Sequence, residues 1–366
     1  MARSAVRIFI AIIIVLAIAE VALRALGYER SYVNPLHSFH VGHPLVGYLG
    51  KPGFTGRFRT PDFDVMISNG PDGFRLPDPM PAADPDSASR RVFVFGDSFT
   101  WGWGVPQGTV YTDVMTRTLG NQNDSYVKNY GLNASGTVQQ YTLFEHYVRD
   151  QLRAGDVVLV MFYRNDFNDN LSGRQRAVVQ PDGAVTRVGP DELLGDGLKD
   201  AIKTHSYALN LLLYAADLFK KIRDQAEAES RVVALAQLSE DDPEIIALKH
   251  FLTAFKTDCE QRGARFAIIY KPGKNEMHDA VVPNDSLLSN EKAYRAVFMA
   301  AAESAGVEVI DLLPIFETLH NQAGAAASPP RFSFEHDGHW NVEGHRVAGE
   351  FLTDWLRGNT ARPDDQ

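Results

Sequence analysis

The chain has 366 residues, 45% apolar and 22% charged, with a formal net charge of −10, which fits one large globular domain or two small ones. The acidic balance, with no basic stripe past the N-terminus, argues against nucleic acid as a partner, because phosphate binding needs clustered Lys and Arg. A single cysteine, Cys259, excludes an internal disulfide and a multi-cysteine metal site.

The N-terminus (1–27) carries Arg3 and Arg7, then twelve uninterrupted apolar residues from Ile8 to Ala19. Basic residues ahead of an apolar run favour export with the N-terminus left in the cytoplasm. A span needs roughly 20 residues. Ala5 to Leu26 reaches that length only by including Arg7, Glu20 and Arg24. Glu20 and Arg24 stand four apart and can pair on one helix face. The readings are a retained membrane anchor, a signal peptide cleaved after Ala17-Ile-Ala19, or a buried soluble helix. The first two put the rest of the chain outside the cytoplasm, held at the membrane or secreted.

Residues 28–90 are rich in Gly, Pro, Asp and short aromatic runs, and read as a small β-rich lead-in ending in a linker. Within it "DFDVMIS" alternates as a strand does. From Arg91 the pattern is regular. Strands are expected at 91–95, 126–131, 156–163, 264–270 and 307–312. Helices are expected at 109–120, 137–152, 242–263, 289–306 and 341–358. Strands alternating with helices predict an α/β fold, a flavodoxin-like three-layer α/β/α sandwich on a five-stranded parallel sheet. Residues 171–245 break the rhythm of this 91–360 domain and read as an insertion over the catalytic face, in the manner of a lid.

Three spots carry chemistry. In "RVFVFGDSFTWGWGV" a buried strand stops at Gly96-Asp97-Ser98, which puts the Ser98 hydroxyl at the carboxyl edge of the sheet, as a nucleophile or as a helix cap. In "HDGHWNVEGH", Asp337 lies two residues before His339, close enough to accept from Nδ1–H and leave Nε2 free to take a serine proton. A metal site on His336, His339 and His345 is disfavoured, since no His-Glu-x-x-His pattern is present, and His345 is expected on the last helix. In "YRNDFNDN", Asn165 follows an apolar strand and offers an oxyanion donor or a loop cap. Asp166 is expected to brace that loop.

Together these blocks resemble the SGNH (GDSL) hydrolase superfamily. The matching stretches are "GDS" with "FTWGWGV", which looks like a membrane-anchored bacterial branch, then "NYGLNASGT", "RND" and "DGHWN", over roughly 91–357. The resemblance implies Ser98 as nucleophile, His339 as general base and Asp337 as its orienter. It implies an oxyanion hole of the Ser98 N–H, a second-block N–H and the Asn165 amide. The second-block glycine falls on Ala134, with Gly131 or Gly136 as the alternative, and Tyr163 stands where the family has glycine. Asp-x-His replaces the commoner Asp-x-x-His, a spacing similar to alginate-type O-acetyltransferase relatives.

The expectation is a cofactor-free, metal-free extracytoplasmic serine esterase acting on short acyl, chiefly acetyl, esters of a carbohydrate or lipid. An O-acyltransferase moving acetyl onto a polysaccharide is the alternative, and a catalytically silent carbohydrate-binding protein the second. Trp101, Trp103 and Trp340 are either substrate wall or core.

Overall fold

The structure, a computed structural model, describes residues 2–28, 39–60, 62–120, 125–194, 205–223, 235–280, 283–323 and 330–358. Helix α1 (Ala2–Ala25) opens the chain. Two antiparallel pairs follow, β1 (His40–Val41) with β2 (Leu49–Gly50) and β3 (Thr55–Arg59) with β4 (Asp64–Ser68). Then come β5 (Arg90–Gly96), α2 (Ser98–Trp101), α3 (Tyr111–Gly120), β6 (Ser125–Gly131), α4 (Thr137–Tyr147), β7 (Val157–Phe162) and α5 (Asn165–Ser172). After the β8 (Arg176–Val179) and β9 (Val185–Val188) hairpin come α6 (Tyr207–Arg223), α7 (Pro243–Glu260), β10 (Arg265–Tyr270) and α8 (Asp285–Ser304). The chain closes with β11 (Glu308–Asp311), α9 (Leu313–Ala323) and α10 (Val342–Leu356).

Five strands form one parallel sheet in the order β6-β5-β7-β10-β11. Successive side chains of a strand point to opposite faces, and here both faces are apolar. Phe93, Phe95, Val158, Val160, Ile268 and Tyr270 join a core with Phe144, Phe255 and Phe298 of α4, α7 and α8. Val92, Val94, Leu159, Met161 and Ile269 join a second core with Met115, Phe316, Val347 and Leu352 of α3, α9 and α10. Burial on two sides explains why these strands read as continuous apolar runs rather than alternating ones.

The strand order puts a topological reversal at the carboxyl edge of the sheet. The chain leaves β5 outward to the edge strand β6, then crosses back to β7 on the other side of β5. In open α/β sheets ligands bind at such a reversal, outside the carboxyl ends of the strands. Ser98 follows β5 and Asn165 follows β7, so the two flank that point.

The lead-in packs through a third aromatic cluster, in which Phe39, Phe58, Phe63 and Ile67 surround Trp101. The β8–β9 hairpin rests on α5 and α7, and α6 rests on α1. The described parts of the 171–245 insert are thus seated on flanking helices, one of which, α5, begins with Asn165. The insert's residues 195–204 and 224–234 lie outside the described residues.

Candidate active site

The turn after β5 is built to present one hydroxyl. From Arg91 to Gly102 every residue is buried except Ser98, which keeps partial access to solvent. Asp97 caps α2, its Oδ1 accepting from the Phe99 amide at 2.9 Å. The helix lasts one turn and ends at Gly102, with φ of 85°, and Gly104 follows at 73°. A Cβ at Gly102 would stand 2.5 Å from Val110 Cγ2, and one at Gly104 the same distance from the Phe63 ring. The "WGWG" glycines are thus needed both for their backbone angles and for room.

Arg75 holds this turn from the lead-in. Its buried guanidinium donates to the carbonyls of Trp101 (3.3 Å), Gly102 (2.9 Å) and Val105 (2.8 Å).

His339 arrives from the loop before α10. That loop is fixed by the bridge between Ser333 and Trp340, by Asn341 capping α10, and by Lys274 Nζ donating to the carbonyls of Phe334 and Asp337 at 2.6 and 3.1 Å. Ser98 Oγ lies 2.6 Å from His339 Nε2, and His339 Nδ1 lies 2.5 Å from Asp337 Oδ1. A carboxylate only accepts, so Nδ1 carries the proton and Nε2 is left to accept from the serine hydroxyl. Trp103 stacks on the imidazole at 4.8 Å and 17°. Its indole N–H donates to Asp337 Oδ2 at 3.1 Å, satisfying the oxygen that faces away from His339. Phe99 lies 4.8 Å from the imidazole as well.

The loop after β6 brings Ala134 to the same edge in a left-handed conformation, φ 53°. The Tyr48 hydroxyl pins this turn, 2.6 Å from the carbonyl oxygen of Asn133 and 2.7 Å from that of Ala134. Among the described residues neither the Ser98 nor the Ala134 backbone N–H has an acceptor. Gly131 and Gly136 are committed elsewhere. The Gly131 N–H donates to Asn129 Oδ1, and the Gly136 N–H to Gln139 Oε1.

Asn165 begins α5, and its amide donates to Asp97 Oδ2 at 3.0 Å and Asp169 Oδ2 at 2.8 Å. Asp97, Asp166 and Asp169 crowd this side. Burial pushes all three carboxyls up, Asp169 to about 6. Asp166 takes Thr137 Oγ1 and Gln140 Nε2 and so ties α5 to α4, the bracing role read from the sequence.

Behind Phe99, at the end of β10, stands Lys271. Its Nζ is buried, lies 4.4 Å from the Phe99 ring centre and 4.3 Å from that of Tyr163, and has no hydrogen-bond partner among the described residues. Burial lowers this amine to about 7.

The arrangement is a hydroxyl with a base in reach and a carboxylate behind the base. The sequence of residues 94–347 matches the model of the GDSL-like lipase/acylhydrolase family. The chain belongs to this family.

Among solved structures, this GDSL-like ester hydrolase is similar to the acetyl xylan esterase AlAXEase, at 13% identity and TM-score 0.40, covering 74% of this chain and all (100%) of that one. It is similar to Est24, a carbohydrate acetylesterase from Sinorhizobium meliloti, at 14% identity and TM-score 0.40, with 74% and 100% coverage. It is also similar to the M. smegmatis aryl esterase, at 15% identity and TM-score 0.36, with 74% and 100% coverage. Against the curated proteins the sequence has no match.

Two tryptophans of this GDSL-like protein are core rather than substrate wall. Trp101 and Trp340 are 1% and 0% exposed, leaving no face for a sugar ring. Trp101 sits among lead-in phenylalanines, and Trp340 packs on Phe316 and Phe99. Trp103 keeps partial exposure but spends one face on His339. Tyr163, where the family has glycine, packs edge-on against Phe99 at 4.9 Å and walls in Lys271. His345 is buried on α10, its Nδ1 accepting from the Tyr111 amide at 3.3 Å, and burial drives it down to about 3. It is a structural acceptor. No cluster of three or more His, Cys, Asp or Glu that would hold a metal occurs among the described residues.

Tyr48, Arg75, Lys271 and Lys274 went unseen in the sequence reading. The pattern "GYLG" around Tyr48 and "GFRLPD" around Arg75 signal turns, and nothing local assigns them to a site far along the chain.

Proposed function

We propose that the protein is an extracytoplasmic serine esterase that removes a short acyl group, acetyl foremost, from a carbohydrate or lipid ester through an acyl-enzyme on Ser98. One observation carries this reading. A half-buried serine hydroxyl lies 2.6 Å from an imidazole whose other nitrogen lies 2.5 Å from a carboxylate. Ser98 Oγ attacks the ester carbonyl while His339 Nε2 takes its proton, and Asp337 stabilises the imidazolium that results. The carbonyl oxygen becomes an oxyanion met by the Ser98 and Ala134 N–H groups. The Asn165 amide joins by giving up one of its two carboxylate partners. A donor of this kind is worth roughly 3 kcal/mol in the transition state. His339 returns the proton to the leaving alcohol. Water, deprotonated by the same imidazole, then attacks the acyl carbon and frees Ser98 and a carboxylic acid.

The short acyl group and the carbohydrate or lipid alcohol come with the resemblance of the motif blocks. The extracytoplasmic setting rests on the apolar helix α1, whose residues Val6–Ala25 have a mean hydropathy of 2.7. The test is turnover of p-nitrophenyl acetate, butyrate and octanoate by the wild type and by Ser98→Ala. The expected result is fastest turnover of acetate and loss of all turnover in the variant, and unchanged turnover in the variant removes the assignment. Supplying an unacetylated polysaccharide separates hydrolysis from transfer. A hydrolase releases free acetate at the same rate with or without it, and a transferase diverts acetyl to the sugar.

A further inference from the structure

Helix α6 begins where α1 carries its charges. Glu20 and Arg24 pair at 2.6 Å, as their spacing predicts. Glu20 Oε2 also accepts from the Ser206 hydroxyl (3.0 Å) and the Ala208 amide (2.9 Å), capping the N-terminus of α6. Arg24 donates to the His205 carbonyl at 3.0 Å and lies over the Tyr207 ring at 4.4 Å. Tyr28 meets Tyr207 edge-on at 6.5 Å. The two charged groups inside the apolar helix are thus satisfied by the start of α6, which lowers the cost of holding them away from bulk water.

From that junction the first turns of α6 pack on α1. Ala208, Leu209 and Leu212 line an apolar groove with Leu16, Ala17 and Glu20. Leu16 lies four residues before Glu20, about 6 Å along the helix at ~1.5 Å per residue, and inside the apolar run Ile8–Ala19. Leu212 thus shares a groove with a residue of that run. Leu211 and Leu212 are nonetheless 40% and 55% exposed, as are Ile13 (49%) and Leu16 (40%) of α1. The exposed apolar surface is continuous from one helix to the other. The sequence Tyr207–Ala216 has Asn210 as its only strongly polar residue, whereas Asp217, Lys220, Lys221 and Arg223 follow.

We propose that the first half of α6, Tyr207–Ala216, is a second membrane-contacting element, seated in the lipid bilayer beside α1 and locked to it by Glu20 and Arg24. The inference goes beyond the esterase reading and rests on α1 being retained in the membrane. The occupant of the exposed leucine face is lipid, because a half-exposed leucine sharing a groove with Leu16 meets the hydrocarbon that surrounds α1.

The test attaches the environment-sensitive fluorophore NBD to single cysteines in the full chain, Leu212→Cys on α6, Ile13→Cys on α1 and Met66→Cys on β4. Cys259 is buried, and burial pushes its thiol up to about 12, so it does not compete for label. Turnover of p-nitrophenyl acetate by each labelled protein reports its folding separately. The proteins are reconstituted in vesicles of phosphatidylethanolamine and phosphatidylglycerol, with and without nitroxide-bearing lipid. The proposal expects position 212 to brighten several-fold, shift to the blue and be quenched by the nitroxide as position 13 is, while position 66 stays aqueous. A signal at 212 matching that at 66, with 13 still quenched, overturns the proposal and leaves the anchor standing. Full-length protein that fails to float with the vesicles overturns both, and an active enzyme in either case leaves the esterase reading intact.

Discussion

At the residue scale, the state of one imidazole depends on contacts from several directions. Asp337 faces Nδ1, Ser98 faces Nε2, and the rings of Trp103 and Phe99 press on it. Trp103 does two things at once, stacking on the imidazole and donating to Asp337. Trp103→Phe retains a ring for the stack and removes the donor, so it separates the two. A hydrogen bond to a charged group contributes about 1.5–3 kcal/mol. The expected outcome is a fall in kcat of about 10-fold with KM held, read from initial rates across pH, and Trp103→Ala should lose more. Asp169 makes a stability prediction. Its folded carboxyl is raised from 3.8 to about 6. Its favourable contribution is therefore complete below the unfolded value and lost as pH rises through about 6. Asp169→Asn removes that ionisation penalty. Its melting temperature should match the wild type near pH 4 and exceed it at pH 7, by a stability difference on the order of 2–3 kcal/mol. Parallel melting curves at both pH values check this.

At the scale of elements, the lead-in is part of the site's support. Arg75 reaches three carbonyls of the turn that follows Ser98, and Tyr48 holds the Ala134 turn. Arg75→Ala would leave buried carbonyls without a donor and empty space where the guanidinium packed. A loss of 3 kcal/mol or more is expected, on the order seen when a buried network is broken. Denaturant unfolding measures that loss. The strands were legible because burial on both faces writes apolar runs into the sequence. The expected strand at 126–131 became Ser125–Gly131, and the expected 264–270 became Arg265–Tyr270. Helix α9 lies outside the expected helices and carries Pro314 in its first turn. Proline is tolerated there because the first turn of a helix needs no N–H from it. The expected helix at 137–152 was shortened to Thr137–Tyr147, with a 3₁₀ turn at Arg149–Gln151.

At the scale of the molecule, the site joins residues that the chain keeps far apart. Ser98 and His339 are 241 positions apart, and Tyr48 reaches across 85 to Asn133. The first pairing was legible because Gly-Asp-Ser and Asp-x-His are local signatures tied to a strand end and a helix start. The second was illegible because a tyrosine in a loop has no pattern that names its distant acceptor. The same limit applied to Trp101 and Trp340, where a tryptophan near a motif reads equally as wall or core, and only the packed lead-in and the α9–α10 face decide for core. The parallel order of the sheet then sets Ser98 and Asn165 on either side of the reversal between β5 and β7, which brings two motifs to one edge.

In the proposed reaction Ser98 is the nucleophile and His339 the base that activates it. The most direct measurement is covalent capture by a fluorophosphonate, followed by peptide mass spectrometry. A Ser98 nucleophile predicts a single adduct on Ser98 in the wild type, none in Ser98→Ala, and labelling slowed by orders of magnitude in His339→Ala. A folded wild type that takes up no label at Ser98, or labels equally fast without His339, would contradict it.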